Sequence, residues 1–346
     1  MTSELQPHGP ASAAPVVGAK ARAASVFDVA RLAGVSHQTV SRVLNDHPSL
    51  RPATRQKVLD AMKELSYRPN AAARTLSSSR SRMIGILSTS TGQYGPAASV
   101  AALEVAARAR GYSVTIANAD GLDPRSVQAA ISHLAELSAE GVVVVAPQTR
   151  VLEALSDLSF GMPFVTLQEL ATDAERSRPL DQVVGARMAV SHLASLGHRR
   201  IGHLAGPADW LDAAQRLTGY TDELDARAID FRAVVNGDWS AASGHRAAGE
   251  LIAHGVTAIF AGNDQMALGA LKAASEADIA VPGELSIVGF DDVPEAAFYS
   301  PALTTVRQDF AEAGRRAVAL LLGESSVPPS VEPELVVRRS TAAPVA

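Results

Sequence analysis

The sequence contains no cysteine and few aromatic residues, and these shortages exclude several classes of protein. None of the 346 residues is Cys, and Phe, Trp and Tyr together make up 4%. Without Cys there are no disulfides, thiolate metal sites, iron–sulfur clusters or cysteine nucleophiles. No apolar run approaches the roughly 18 residues of a membrane helix. Residues 1–19 contain no Lys or Arg, unlike a signal peptide. We therefore expect a cytoplasmic protein without membrane contact.

Motifs of catalysis and of cofactor binding are also missing from the sequence. There is no G-x-G-x-x-G, P-loop, G-x-S-x-G or H-E-x-x-H pattern. The nine histidines are scattered, and the spacing of His192, His198 and His203 does not direct them to one metal ion. We predict that the protein is not an enzyme and binds neither a metal nor a cofactor.

Charge is distributed unevenly along the chain. Residues 20–82 contain twelve Lys or Arg and four Asp or Glu, a net charge of +8. The whole chain carries −5, so residues 83–346 carry −12 after Glu4 is counted. A small basic segment joined to a large acidic one indicates a polyanion contact at one end, although a solvated basic surface is the alternative.

The patterning divides the chain into a tail, a small helical domain, a linker and a large body. We predict a disordered tail over residues 1–24, a three-helix domain over 25–69 and a hinge helix with linker over 70–82. Residues 83–340 form the body, followed by a tail at 341–346. Within the body, the first lobe is predicted at about 83–180 plus 309–335, and the second at about 181–308 plus 336–340.

The body alternates apolar strand-like runs with helical patterns. Gly141–Ala146, with the sequence GVVVVA, is typical of a strand buried on both faces of a parallel sheet. Such alternation predicts parallel sheets with right-handed crossovers, here two doubly wound α/β lobes with a cleft between them. The predicted series comprises strands at 83–87, 114–117, 141–146, 163–167, 201–204, 231–235, 258–261 and 286–290, with helices between most of them.

The segment VARLAGVSHQTVSRVLN, residues 29–45, predicts two short helices joined by a turn at Gly34. Such a pair can place its second helix in a DNA major groove. His37, Gln38 and Arg42 project from the polar side of that helix; Gln can pair bidentately with adenine, and Arg with guanine. Hydroxyl groups on the same turns can donate to phosphate oxygens, and they belong to Ser36, Thr39 and Ser41. The alternative is that these polar side chains form a solvated helix surface that binds no DNA.

This segment, followed by YRPNAAARTL at residues 67–76, resembles the N-terminal module of the LacI/GalR family of bacterial repressors. The resemblance is nearly continuous from Phe27 to Leu76 and extends in patches to the C-terminus. It implies that His37, Gln38 and Arg42 contact bases. It adds Asn45, Asn70, Ala73 and Leu76 to the DNA-binding residues, with Leu76 wedging into the minor groove. It also implies a body of the periplasmic-binding-protein type.

Polar groups follow several predicted strands of the body. Asn263 and Asp291 stand after strands, Trp239 follows a Gly-Asp pair, and Arg216 lies in or just before a helix. Carboxylate, amide and guanidinium groups can bind neighbouring hydroxyls, while an indole covers an apolar sugar face. The residues therefore indicate a neutral polyhydroxylated ligand, although capping and loop ordering are alternative roles for each of them.

The family resemblance continues through GDWSA at 237–241, NDQMALGA at 263–270, VGFDD at 288–292 and LTTVRQDF at 303–310. It implies that Arg216, Asn263 and Asp291 bind sugar hydroxyls and that Trp239 and Phe310 pack against the sugar. Further effector-binding residues implied by the resemblance are Gln308, Tyr94, Pro96, Ser99 and Gln168. At Gln168 the sequence departs from the family, which often has an Asp there.

The expected function is that of a repressor of carbohydrate-utilisation genes whose affinity for operator DNA is lowered by a bound sugar, with a β-galactoside or related glycoside as effector. The partners implied are double-stranded, near-palindromic operator DNA and a second copy of the chain. Residues 338–346 contain no apolar heptad, which favours a homodimer over a larger assembly. The alternatives are a corepressor-dependent regulator, a sugar-binding transport protein without DNA activity, and a Rossmann-type enzyme.

Overall fold

The computed structural model describes residues 24–44, 50–67, 80–89, 92–119, 123–156, 161–167, 180–329 and 332–345. The chain divides between Arg80 and Ser81 into an N-terminal unit and a larger body. Across these described ranges, no helix combines the length and the apolarity that crossing a membrane requires.

Three helices form the N-terminal unit: α1 (Val26–Ala33), α2 (His37–Leu44) and α3 (Pro52–Glu64). Ser25 and Asp28 form a capping box at the start of α1, which satisfies backbone N–H groups that lack partners within the helix. Gly34 ends α1 with φ at 66°, a left-handed conformation that glycine adopts without strain. The core of the unit is small and apolar, and it is built from Val29, Ala30, Val40, Val43, Val58 and Ala61.

The body alternates strands with helices for most of its length. Its strands are β1 (Met83–Ser88), β2 (Ser113–Asn118), β3 (Gly141–Val145), β4 (Phe164–Thr166), β5 (Ile201–Ala205), β6 (Ala233–Asn236), β7 (Ala258–Ala261), β8 (Ser286–Asp291), β9 (Thr304–Arg307) and β10 (Glu334–Val336). Its α-helices are α4 (Tyr94–Ala109), α5 (Pro124–Glu136), α6 (Thr149–Ser156), α7 (Gln182–Ser195), α8 (Leu211–Ala226), α9 (Ala241–Ala253), α10 (Asp264–Glu276) and α11 (Phe310–Leu321), and Pro294–Phe298 is a 3-10 turn.

The strands form two sheets, one in each lobe. Within the described residues, the first sheet has the order β2-β1-β3-β4 and is parallel throughout. The second has the order β10-β9-β8-β7-β5-β6, parallel except for the edge strand β10. The predicted fold class is therefore confirmed: a helix-turn-helix domain followed by a two-lobe α/β body.

Each sheet has apolar side chains on both of its faces. In β3, Val142 and Val144 belong to one buried cluster, and Val143 and Val145 to another. The second sheet shows the same division, with Ile259 on one face and Phe260 on the other. Helices cover all four faces, which explains why β3 is an unbroken apolar run rather than an alternating one.

Four elements of the body were not predicted from the sequence: α6, β9, α11 and β10. β9 has the sequence TTVR, and its buried residues Thr304 and Thr305 are polar. A search for apolar runs therefore does not detect this strand. The structure also shifts one lobe boundary. Glu334 and Leu335, predicted in the first lobe, pair with β9 in the second sheet because β10 adds there as an edge strand.

Helices α9 and α10 pack closely because glycine stands at their contact. A Cβ on Gly269 of α10 would lie 2.0 Å from the backbone oxygen of Ala241 in α9. Since that neighbour is backbone and not a flexible side chain, Gly269→Ala is expected to lower the free energy of unfolding by about 1–3 kcal/mol. Thermal denaturation measures this change.

Gly249→Ala, on the adjoining helix α9, is the matched control. A Cβ at Gly249 has open space, with no heavy atom within 4 Å. Because alanine favours helix over glycine, this change should raise stability by about 0.5–1 kcal/mol. Equal effects at the two positions would contradict the packing described.

Candidate functional site

Helix α2 of the N-terminal unit separates its apolar and polar side chains cleanly. Val40 and Val43 are buried in the three-helix core, while His37, Gln38 and Arg42 are exposed. Ser36 precedes the helix, and its Oγ accepts a hydrogen bond from the backbone N–H of Thr39 at 3.2 Å. The predicted base-contacting residues thus share one exposed surface, with the shape and polarity that a major groove accepts.

The hydroxyl residues flank that surface. Ser36 is exposed, and Thr39 and Ser41 are partly exposed, with the Ser36 and Thr39 hydroxyls 3.0 Å apart. Phe27 of α1 is 62% exposed, and its ring centroid lies 5.4 Å from that of His37. His37 is therefore held partly by an aromatic neighbour on the outside of the unit. The predicted residues Asn45, Asn70, Ala73 and Leu76 lie outside the described residues, as does Gln168 of the body.

The body has a cleft at the carboxyl ends of its strands, where parallel α/β sheets bind ligands. Two adjoining pockets that open to solvent lie there, lined by residues of both lobes. The inner compartment has Ser99, Leu167, Gln182, Gln308 and Phe310 in its walls. The walls of the aromatic compartment include Tyr94, Trp210, Trp239, Asn263 and Asp291. Gly95, Pro96, Asp212 and Arg216 line both compartments.

The Arg216 guanidinium is part of a closed ring of hydrogen bonds between four side chains. Its Nε donates to Oε1 of Gln182 at 2.9 Å, and Gln182 donates to Gln308 at 2.7 Å. Gln308 donates to Asp291 at 2.6 Å, and Nη2 of Arg216 closes the ring at 3.5 Å from the same Asp291 oxygen. Nη1 of Arg216 donates to the backbone oxygen of Gly262. All four side chains of the ring are buried, so their polar groups depend on each other.

The same guanidinium lies against aromatic faces. Its Cζ is 4.0 Å from the ring centroid of Phe290 and 5.4 Å from that of Trp239. The Trp239 indole rests on Gly206, where a Cβ would come within 2.1 Å of the ring. Glycine at that position is therefore a condition for the indole to form a wall of the cleft.

Asn263 and Asp291, at the ends of strands β7 and β8, line the cleft and also have features that bear on the local structure. The side chain of Asn263 caps α10 by accepting the backbone N–H of Met266 at 2.8 Å, and it donates to the carbonyl of Trp239 at 3.1 Å. Asp291 has φ at 105°, an uncommon conformation for a residue with a Cβ. Such backbone conformations cluster at ligand-binding sites, where the surrounding packing stabilises them.

The predicted residues of the first lobe reach the same cleft through α4. Tyr94 and Phe310 meet edge to face with ring centroids 5.9 Å apart. Pro96 and Ser99 line the inner compartment, and the Ser99 hydroxyl donates to the carbonyl of Gly95 at 2.8 Å. The structure therefore brings together every predicted effector residue that lies in its described part.

Three residues that line the cleft were not predicted from the sequence: Gln182, Trp210 and Asp212. Asp212 and Arg216 lie four residues apart on α8, so one helical turn presents both to the cleft. Trp210 is the residue before α8, and its ring meets Trp239 edge to face at 5.4 Å. Asp181 is the N-cap of α7 and would have indicated that this helix begins at Gln182.

The lobes are also joined by backbone hydrogen bonds beside the cleft. The N–H of Thr149 donates to the carbonyl of Asp209 at 2.9 Å, and that of Leu211 to the carbonyl of Pro147 at 2.8 Å. These bonds flank a bridge between Gln148 and Trp210. Any change in the angle between the lobes must therefore alter contacts adjacent to Trp210 and Asp212.

Three carboxyl groups of the second lobe have raised pKa values. Burial raises the pKa of Asp291 to about 6, against the opposing effects of the Arg216 guanidinium and the Gln308 hydrogen bond. Burial also raises the pKa of Asp264 to about 8, although hydrogen bonds from Thr305 and from the backbone of Val293 favour its ionised form. Burial likewise raises the pKa of Asp212, again opposed by Arg216.

A helix-turn-helix unit combined with a two-lobe cleft defines a class: transcriptional regulators with a body of the periplasmic-binding-protein type. Residues 25–70 match the family described as bacterial regulatory proteins, lacI family, and residues 190–341 match a periplasmic binding protein-like domain. The lactose operon repressor of Escherichia coli is 34% identical over 92% of this chain and 91% of its own length.

Two further similarities agree with assignment to this class of transcriptional regulators. The HTH-type transcriptional repressor PurR of Klebsiella pneumoniae is 34% identical over 92% of this chain and 97% of its own. The crystal structure of the lac repressor dimer bound to operator and the anti-inducer ONPF is 33% identical, with a TM-score of 0.81, and covers 93% of this chain and all of that one. The chain belongs to the LacI family and is a DNA-binding transcriptional repressor, not an enzyme.

The raised pKa of Asp264 has a measurable consequence for stability. Between about pH 4 and pH 8 the folded protein holds a proton on Asp264 that the unfolded chain has lost. The free energy of unfolding should therefore fall as pH rises through this window. Asp264→Asn cannot titrate, so from about pH 5 to about pH 8 wild type should lose at least about 1 kcal/mol relative to this variant in urea unfolding.

Asp222→Asn, at an exposed position of α8, is the control and should follow the wild-type pH dependence. If Asp264→Asn also follows it, Asp264 ionises normally and the description of its site is wrong.

Proposed function

We propose that this repressor is inducible by a sugar. A neutral polyhydroxylated ligand, a β-galactoside or related glycoside, binds between the two lobes and lowers the affinity for operator DNA, which controls carbohydrate-utilisation genes. The observation that carries the proposal is the convergence of Arg216, Asn263, Asp291 and Trp239 in one cleft at the carboxyl ends of the strands.

The chemistry of the walls suits a sugar. Carboxylate, amide and guanidinium groups offer paired donors and acceptors for neighbouring hydroxyls, while Trp239, Tyr94 and Phe310 supply apolar faces. Arg216 is the one cation among the described residues that line the two compartments, and it is already bonded to Asp291, Gln182 and Gly262. A phosphorylated ligand would require more positive charge than this. The lac repressor structure that this chain resembles holds a small molecule, the anti-inducer ONPF, which supports a small-molecule effector.

At the other end of the chain, α2 is the helix proposed to enter the major groove. His37, Gln38 and Arg42 would contact base edges, and the hydroxyls of Ser36, Thr39 and Ser41 would contact phosphates. The proposal includes Asn45 and a hinge helix over residues 70–76, with Ala73 at the helix contact and Leu76 in the minor groove. Seven residues are too few for a stable isolated helix, so its folding would depend on DNA.

A homodimer would place two such units on adjacent half-sites about one helical turn apart. The solved lac repressor that this chain resembles is a dimer on its operator, which supports this assembly. The ligand can change operator affinity only if it binds two states of the dimer with different affinities.

The coupling would run through the crossover segments of the body. Gln182 begins α7, where the chain has passed from the first lobe to the second, and Gln308 lies between β9 and α11, where it returns. Both belong to the hydrogen-bonded ring of Arg216. A sugar that bonds to Arg216 or Asp291 would therefore act on two of the three crossovers, the third being the return from α11 to β10, and change the angle between the lobes.

The test is an electrophoretic mobility shift assay with the purified protein, the DNA upstream of its own gene and a panel of sugars. The expected result is a retarded complex that one glycoside dissociates. Operator affinity that no sugar changes would contradict the effector proposal, and a sugar that strengthens the complex would show corepression instead.

Arg42→Ala tests the assignment of the DNA-contacting surface. Loss of a bidentate contact to guanine should cost about 1–3 kcal/mol, or about 5- to 150-fold in operator affinity, with sugar binding unchanged. Fluorescence anisotropy with operator and scrambled duplexes measures this discrimination.

Arg42→Lys is the matched variant, because it retains the positive charge and loses the bidentate fork. It should bind scrambled DNA like wild type and still discriminate poorly. Full discrimination by Arg42→Ala, with equally weakened binding to both duplexes, would show that Arg42 contacts phosphate and not a base.

A further inference from the structure

The chain enters the body through a residue whose backbone N–H and carbonyl are both held by neighbouring strands. The N-terminal unit ends at Arg80, and β1 begins at Met83 between β2 and β3. The backbone N–H of Arg82 donates to Oε1 of Glu140 at 2.8 Å, and its carbonyl accepts from the N–H of Ser113 at 2.9 Å. Ser113 begins β2 and Glu140 immediately precedes β3, so both strands that flank β1 hold Arg82.

The side chain of Glu140 is the part of this anchor that strand pairing does not explain. The bond to Ser113 continues the pairing of β1 with β2, whereas the bond to Glu140 joins the Arg82 backbone to a side chain 58 residues away. Oε2 of Glu140 accepts from the Tyr112 hydroxyl at 3.3 Å, and the Glu140 backbone N–H donates to the Met83 carbonyl at 2.8 Å. Two contacts of its own therefore hold the carboxylate in place while it accepts the N–H of Arg82.

The backbone conformation of Arg82 shows what the anchor does. Its φ is 49°, a left-handed conformation that residues with a Cβ keep only where the surrounding structure holds them in it. Arg82 is exposed, so burial of its side chain does not impose this conformation. The hydrogen bonds to its N–H and carbonyl do, and they thereby fix the direction in which the chain leaves the body towards residue 80.

We propose that Glu140 is a positioning residue for DNA recognition: by holding Arg82, it fixes where each linker leaves the body, and it thereby sets the half-site spacing that the dimer accepts. The inference rests on the proposed function, because it requires two N-terminal units on one near-palindromic operator. Half-site spacing follows from the geometry of a dimer, so a fixed point of departure makes the protein selective for one spacing.

The length of the anchored segment matches one step of DNA. Opening the anchor frees residues 80–82, and three residues of extended chain span up to about 10 Å. One inserted base pair moves a half-site by about 3.4 Å and turns it by about 35°. A dimer can therefore reach an operator of the wrong spacing by opening the anchor, and the cost of opening it appears as a preference for the correct spacing.

The size of this preference follows from the bond that must break. A hydrogen bond to a charged acceptor changes an equilibrium by about 10- to 150-fold. Because Glu140 is only partly buried, its contribution lies towards the lower end of this range or below it. We therefore expect the anchor to account for at least about fivefold of the preference for one spacing.

The test uses full-length protein and two duplexes: the operator mapped by footprinting upstream of its own gene, and the same operator with one base pair inserted between the half-sites. Fluorescence anisotropy without sugar gives the two dissociation constants and their ratio. Wild type should prefer the natural spacing by at least about tenfold. In Glu140→Ala, which removes both acceptor oxygens, this preference should shrink by at least about fivefold.

Glu140→Gln is the matched variant, because its amide oxygen can still accept the N–H of Arg82, and it should keep the wild-type preference to within about twofold. Glu136→Ala, at an exposed position four residues earlier, controls for the loss of a glutamate and should keep it as well. Tyr112→Phe removes only the hydroxyl that donates to Oε2, so it should lower the preference by a smaller factor even if Glu140→Ala does not fold. Thermal midpoints show which variants fold.

The outcomes separate this inference from the proposed function. If Glu140→Ala weakens binding to both duplexes equally and leaves their ratio unchanged, Glu140 only stabilises the body and the inference is overturned. Wild type that binds both spacings equally overturns it as well, and both results leave a DNA-binding, sugar-responsive repressor. Wild type that protects no upstream DNA in footprinting overturns the proposed operator recognition, and the inference with it.

Discussion

The buried guanidinium of Arg216 is the interaction on which the cleft depends. Arg216 is 5% exposed, and an uncompensated charge at such a site would destabilise the fold by about 3–5 kcal/mol. Asp291 supplies the opposite charge, and Gln182 and Gln308 fix the orientation of both. Because each amide of this ring donates to one neighbour and accepts from another, the polar groups hold their positions before any ligand arrives.

The ring also determines how a small ligand can influence a large body. Two of its members, Gln182 and Gln308, belong to two of the three segments through which the chain crosses between the lobes. At the start of α8, the bridge between Gln148 and Trp210 joins the lobes at the cleft wall beside Asp212. A ligand that bonds to this wall therefore meets the connections that set the angle between the lobes. The coupling we propose needs no long pathway through the body, since site and hinge share residues.

The sequence predicted the fold class well because its strongest signals are local. The apolar run of β3 and the caps at Ser25 and Gly34 depend on near neighbours in the chain. Residues at strand ends were also predictable, since parallel strands bring Asn263 and Asp291 to one edge of the sheet. Asp212 was not found, because its place in the cleft depends on how the first lobe faces α8. β9 was not predicted because its buried threonines do not form an apolar pattern. The role of Asn263 as a helix cap became visible only from its hydrogen bond to the backbone of Met266.

The central claim is that occupancy of the cleft and affinity for operator are coupled, and coupling between two binding sites is reciprocal. The most direct measurement is the sugar affinity of the free protein and of the operator complex, followed by the fluorescence of Trp210 and Trp239. The account predicts that the sugar binds the complex more weakly, by the same factor by which it weakens operator binding. Equal sugar affinity with and without operator would contradict it.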